Sequence, residues 1–328
     1  MISGKLNLYL QKSVIISNKN NINNNMITRH NKKNITWISI TNPTEEEIKK
    51  IKEEFLLHNY VANDILTPTI RPTCMEYENY AYIVQHFPRM STVKDVKRRH
   101  EIDFILGDHW IITISYDDVS NLTDIEKIID SITNEEKHNF SDVGFIYLEI
   151  ISDLYKKCNN RLDTIDKELD DIEARIYSGK EKQMVRRISV EMRKLIDFEH
   201  ALTMHDTILS TLKSFGSKKY DANFARYFNF VESELHEIKS RIEFLKDAVE
   251  QFQTTNDSLL QHKTADAMKT LTMMSFVIFP LSLIAGIFGM NTTHMPIVGS
   301  DLDFYKIILL MSVIGVIFFV FFRIKKWI

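Results

Sequence analysis

The sequence predicts an α+β cytosolic domain of α/β/α type. A long coiled-coil-like stalk helix follows it, and two C-terminal transmembrane helices close the chain. Three observations lead there. Two apolar, charge-poor runs end the chain. A seven-residue apolar repeat leads into the first of them. Strand and helix patterns alternate within residues 1–140.

In the first domain, residues 1–140, "ITWISI" alternates as a half-buried strand should. Thr44 and Glu47 form a capping box in front of the helical pattern "TEEEIKKIKEEFLL". "YAYIVQHF" reads as a second strand. "EIDFIL" and "HWIITIS" read as two more, joined at Gly107-Asp108, a hairpin signal. His86 and His109 fall in these strands and are expected to pack there. The stretch "NKNNINNNMITRHNKKN" is rich in asparagine and is expected to be a loose loop between two short strands. Lys97-Arg98-Arg99 is expected to be a solvated loop between strands.

Residues 141–222 are expected to form a helical hairpin. Ile151, Tyr155, Cys158, Leu162, Ile165, Leu169, Ile172 and Ile176 alternate steps of four and three. A partner helix is expected near Gln183 to Phe215, with "YSGKEKQ" and its Gly179 as the turn. Asp163, Asp166, Asp170 and Glu173 lie on one face, expected as a solvated face, with collection of cations by its field as the alternative. The stalk helix, 223–270, repeats Phe224, Phe228, Val231, Leu235, Ile238, Ile242, Leu245, Val249 and Phe252. No proline or glycine interrupts it before the first apolar run. One helix is therefore expected from about Asn223 to near Asn291.

The first span, 271–291, contains "LTMMSFVIFPLSLIAGIFGM" without a charge. The second, 304–322, carries only Lys306, near its start, where a lysine snorkels to the interface. Each is long enough for the about 20 apolar residues that cross a bilayer. The link, 292–303, has no Lys or Arg and carries Asp301 and Asp303. Lys263 and Lys269 precede the first span, and the tail, 323–328, holds Arg323, Lys325 and Lys326. Basic flanks stay inside, so both termini are expected in the cytoplasm of a multi-pass protein of the cell (inner) membrane. Ser282 with Gly286, and Ala285 with Gly289, are small residues at i,i+4 and permit close helix contact. Pro280 removes one backbone hydrogen bond.

Composition excludes several classes. A net charge of −3 gives no surface for nucleic acid. The two cysteines, Cys74 and Cys158, fit no metal or redox spacing and are expected as free thiols in a reducing compartment. No basic-then-apolar leader opens the chain, so no signal peptide is expected. The nucleotide, P-loop, zinc-hydrolase and serine-hydrolase motifs are missing from the sequence, and the chain is expected not to be an enzyme. The histidines are scattered; His294 lies in the expected outer loop.

"MKTLTMMSFVIFPLSLIAGIFGMN", the loop with Met295-Pro296, the second span and the closing "RIKKWI" resemble the CorA family of magnesium transporters. "NDILTPTIRPTCMEYENYAYIVQHF" is similar to that family's cytosolic domain. The resemblance implies a homopentameric funnel in the lipid bilayer, with the first span of each subunit lining one central pore. It implies transport of Mg2+, and also of Co2+ and Ni2+, with Mg2+ as a regulatory ligand besides. Gly289, Met290 and Asn291 match the family's selectivity signature. The family's pore-lining and gating positions fall on Met268, Leu271, Ser275, Phe279 and Ser282. A Zn2+ transporter of the same architecture and a non-conducting membrane-anchored scaffold are the alternatives; Met290 weighs against the zinc branch.

Departures from the family pattern are specific. Ala265, with Asp266 beside it, stands where an inner asparagine is frequent. Met295-Pro296 is followed by Ile297 rather than Glu, leaving Asp301 and Asp303 as the acids of the loop. Ser91 and Phe230 occupy the places of an acidic pair that senses cytosolic Mg2+ in some members; Asp95, Glu232 and Glu234 are the nearby carboxylates. The amide at Asn291 has a physical rationale. Mg2+ sheds its octahedral waters reluctantly. A ring of amide oxygens accepts hydrogen bonds from those waters without the tight grip of a carboxylate.

Overall fold

A computed structural model of the chain describes residues 26–32, 35–88, 99–116, 127–128, 143–219, 222–290, 302–325 and 327. Asp95, Asn291, Asp301, His294, Ser91, Lys97, Arg98 and the Met295-Pro296 pair lie outside the described residues. The chain divides into two compact units. One spans residues 1–165 and 193–245, the other 166–192 and 246–328.

The first unit is built on a six-stranded sheet: β1 (Met26–Lys32), β2 (Ile35–Thr41), β3 (Thr73–Glu76), β4 (Ala81–Pro88), β5 (Arg99–Leu106) and β6 (Trp110–Ser115). Their order is β1-β2-β6-β5-β4-β3. β2 runs parallel to β6, and every other neighbouring pair is antiparallel. α1 (Glu45–Phe55) and α2 (Asn59–Asp64) follow β2. They cover one face, where Ile48, Ile51, Val61 and Ile65 meet Ile38, Ile40, Val84 and Ile112. α1 begins as its capping box requires: the Glu47 N–H donates to Thr44 Oγ1 at 3.3 Å and the Thr44 N–H to Glu47 Oε2 at 2.9 Å.

The start of α3 (Val143–Tyr177) covers the other face. The Tyr147 hydroxyl donates to Gln85 Oε1 at 2.8 Å, and its ring meets Phe104 edge-on. Helices thus flank the sheet on both sides, the α/β/α arrangement the strand and helix patterns predict. The apolar positions of the α3 repeat, Ile151 to Ile176, are all buried.

Four local expectations change. Arg99, expected in a solvated loop, opens β5 and pairs with Pro88 of β4. Residues 26–32 pair with β2 as a strand, so "MITRHNK" is not loose loop. Its side chains find partners there, His30 stacking on Trp37 and Arg29 reaching Glu54. His109 is an exposed turn residue rather than a strand residue. Gly107 belongs to the last hydrogen-bonded pair of the hairpin, its N–H donating to Trp110 O at 2.9 Å, and the turn is Asp108-His109. Glycine is required at 107 because a Cβ would lie 2.1 Å from the Trp110 indole.

The expected third helix is two, α4 (Glu181–Leu202) and α5 (His205–Lys219), broken at Thr203-Met204. The break sets His205 at the head of α5. Its Nε2–H donates to the His86 carbonyl at 2.8 Å, and its Nδ1 accepts from the Tyr155 hydroxyl at 2.8 Å. Burial holds this imidazole down to about 4, well below the usual histidine range. At the α3–α4 turn Gly179 takes φ 86°. The Lys180 N–H reaches Arg175 O, closing α3 in the manner of a left-handed glycine cap.

Then come α6 (Ala222–Phe288) and α7 (Asp303–Ile324). α6 has 67 residues and is on the order of 100 Å long at 1.5 Å per residue. Its repeat positions Phe224 to Val249 are buried.

Candidate ion pathway

α6 and α7 each contain a stretch long and apolar enough to cross a membrane, and little of either stretch is buried within the chain. Met268, Leu271, Ser275, Phe279 and Ser282 follow one another by three or four residues. On a helix they share an arc of about 80°. Met268, Leu271 and Phe279 are 58%, 58% and 71% exposed. The hydroxyls nearby turn inward: Ser275 Oγ donates to Leu271 O at 2.9 Å, and Thr272 Oγ1 to Met268 O at 2.8 Å. Such back-bonding satisfies a hydroxyl within an apolar helix. Pro280 lacks an N–H, so the Phe276 carbonyl loses its helical donor.

The helix ends just before the glycine of the signature. The Gly289 N–H donates to Ala285 O at 2.9 Å and the Met290 N–H to Ile287 O at 3.2 Å. A Cβ at 289 would stand 3.1 Å from Ala285 O, tighter than ordinary contact, so a side chain there would need a small shift of the closing turn. Gly286 has open space where a Cβ would point. Asp303, in the first turn of α7, accepts from Lys306 Nζ at 3.2 Å.

A second face of α6 is turned about 130° from the first, centre to centre. Thr270, Met273, Met274, Val277 and Ile278 on this face line a cavity of about 600 Å3 with residues of α7. The second span therefore faces α6 from a side other than the Met268–Ser282 stripe.

The remaining carboxylates are distributed. Glu232 is partly buried and pairs with Lys213 at 3.0 Å. Glu234 is half-buried, and burial raises its carboxyl above the usual range. Two residues apart on one helix, the pair points to different sides and does not converge. Phe230 is half-exposed and stacks on Tyr227. Asp163 binds Arg241 at 2.6 Å, and Asp166, Asp170 and Glu173 stay exposed. Asp103, which periodicity alone does not single out, is fully buried in the sheet and accepts from the Tyr116 hydroxyl at 2.6 Å. Burial, then the charge of Glu101, pushes its carboxyl well up. Among the described residues, no three His, Cys, Asp or Glu side chains are gathered as a metal-ligand set. Both cysteines are free thiols, and burial pushes Cys74 up to about 12.

A layered sheet domain and two helices each long and apolar enough to cross a membrane, one of them 67 residues long, define the class of fold. The profile described as "CorA-like Mg2+ transporter protein" matches residues 32–326, and the chain belongs to that family. The cobalt/magnesium transport protein CorA of Thermotoga maritima is 26% identical over 298 residues, covering 89% of this chain and 83% of that protein. The complete structure of the CorA magnesium transporter from Methanocaldococcus jannaschii superposes with a TM-score of 0.78 at 20% identity, covering 90% of this chain and 92% of that one. The full-length CmaX structure matches with a TM-score of 0.71 at 13% identity, covering 89% of each chain. At those identities the two structures speak for the fold.

Proposed function

We propose that the chain conducts Mg2+, with Co2+ and Ni2+ as further cargo, through a pore lined by α6 from five copies. The observation that carries this reading is the stripe of Met268, Leu271, Ser275, Phe279 and Ser282. It is apolar or weakly polar, exposed at all but the half-buried Ser275, and turned away from the chain's own second span. One such helix cannot enclose a path; a ring of them can. Met268, Leu271 and Phe279 would then form constrictions that gate by excluding water. Asn291 would crown the pore, its amide oxygens accepting from the waters of the hydrated ion. Both termini would be cytoplasmic, since the basic residues flank the spans on that side. Membership of a transporter family and the missing hydrolase and nucleotide motifs support transport rather than catalysis.

Proteoliposomes holding the full-length protein test the reading. Dye-reported Mg2+ uptake should exceed Zn2+ uptake, and native mass in detergent should give five copies. Asn291→Asp should bind the ion more tightly and release it about tenfold more slowly if the carboxylate adds about 1.4 kcal/mol. Parental flux in that variant would end the amide argument. A dimer, or Asn291→Ala cells growing normally in low Mg2+, would end the pore.

A further inference from the structure

The cavity between α6 and α7 has no place in the ion pathway, because it opens on the other side of α6. Its walls are Met273, Met274 and Val277 of α6 and Phe319 and Phe322 of α7, with Trp327 at one end. Its volume, about 600 Å3, is that of a ligand pocket. Thr270 is the one hydroxyl in the lining, and its Oγ1 is already bonded to Asp266 O at 3.0 Å. No charged side chain lines the cavity. It therefore offers nothing to an ion and suits a flexible hydrocarbon, to which paired methionines adapt well.

One end of the groove is chemically distinct. Trp327 stacks on Phe322 with centroids 5.8 Å apart and 16° between planes, and its backbone N–H returns to Phe322 O at 3.0 Å. An indole at the end of a span marks the bilayer interface. Basic residues adjoin this end. Lys269 precedes Thr270, Arg323 follows Phe322, and Lys325 lies between Phe322 and Trp327. Arg323 and Lys325 are exposed. Asp266, the nearest acid along α6, is exposed and outside the lining.

We propose that this groove binds one anionic phospholipid of the cytoplasmic leaflet. An acyl chain lies along the Met273, Met274 and Phe319 walls, and the phosphate is held at Arg323, Lys325 and Lys269. A helix from another copy is the weaker fit. Helices in lipid seat on small residues, and the small residues of α6, Ser282, Ala285, Gly286 and Gly289, centre about 100° round the helix from the groove, near the pore stripe. This inference rests on the membrane placement of α6 and α7, and not on which ion passes.

The full-length protein, reconstituted in vesicles of equal phosphatidylglycerol and phosphatidylcholine with identical acyl chains, is extracted and weighed by native mass spectrometry. Phosphatidylglycerol should be retained in preference. The R323Q/K325Q variant should lose it by about fivefold per charge removed. Gly315 lines the groove and has open space where a Cβ would point, so Gly315→Leu should exclude both lipids while leaving the number of copies unchanged. Equal retention of the two lipids, or retention untouched by Gly315→Leu, would overturn the site. Loss of subunits in Gly315→Leu would assign the groove to a second copy instead. Release of the parent chain from vesicles by alkaline carbonate would sink the membrane reading itself, and the lipid site with it.

Discussion

The sheet of the first unit and the terminal helices of the second treat the same side chains in opposite ways. Ile38, Ile40, Tyr82 and Phe104 are wholly covered by their own chain. Leu271, Phe279 and Leu309 expose 58%, 71% and 66% of their surface. In water the second pattern would be a severe liability, since exposed apolar patches of that extent drive association. The two regions are therefore built for different solvents. The sheet makes its own interior, whereas the apolar stretches of α6 and α7 leave theirs to be supplied from outside the chain.

Truncation of a large side chain separates the regions most strongly. Phe104→Ala should cost about 3–5 kcal/mol, because it opens a cavity in a close-packed interior. Phe279→Ala leaves no cavity within the chain and should cost under about 1 kcal/mol in folding, yet it should raise Mg2+ leak through the proposed gate. Hydrogen exchange of β5 amides and vesicle flux measure the two. Equal destabilisation would erase the contrast.

A buried charge sharpens the comparison from the other side. Val316 of α7 is 61% exposed, so Val316→Arg should be harmless in water. In a bilayer it should disfavour insertion by roughly 3 kcal/mol. The fraction of protein protected in the membrane reads this directly.

Titration offers a third test, confined to the first unit. His205 stays neutral in the fold down to about 4, while an unfolded histidine protonates near 6.5. Its contribution is complete above pH 6.5 and is lost as pH falls toward 4, on the order of 3 kcal/mol in all. Tyr155, the His86 carbonyl and the Lys239–Asp206 ion pair surround it. His205→Gln should flatten the acid limb of the melting profile. Asp103 works in the reverse sense: its raised carboxyl favours the fold at low pH and weakens it as pH rises. The smallest effect is expected at the surface, where Thr44→Ala should cost about 1 kcal/mol by removing the α1 cap.

Much of the fold was legible because it rests on local codes. The Thr44–Glu47 box, the seven-residue repeats of α3 and α6 and the apolar terminal runs are each written within a few turns of chain. β3 was not legible, because "TCME" is too short to show a period and exists by pairing with β4. The turn at Asp108-His109 was misplaced by one residue, because Gly107 serves the Trp110 ring rather than the chain reversal. The α4–α5 break is set by His205 reaching the β4 carbonyl across the fold, a contact no window of sequence contains. The proposed pore-facing residues were read through resemblance to a family. What supports them in the structure is their side of α6.

By itself the sequence determined the α1 cap, the seven-residue repeats of α3 and α6 and the two apolar runs, since periodicity, capping and hydropathy act over neighbouring residues. The tertiary structure alone decided the strand order, with β2 parallel to β6, and the neutral, buried state of His205. It also decided which face of α6 meets α7 and which is turned away from it. Those features depend on contacts between residues far apart in the chain, whose energies no local pattern encodes.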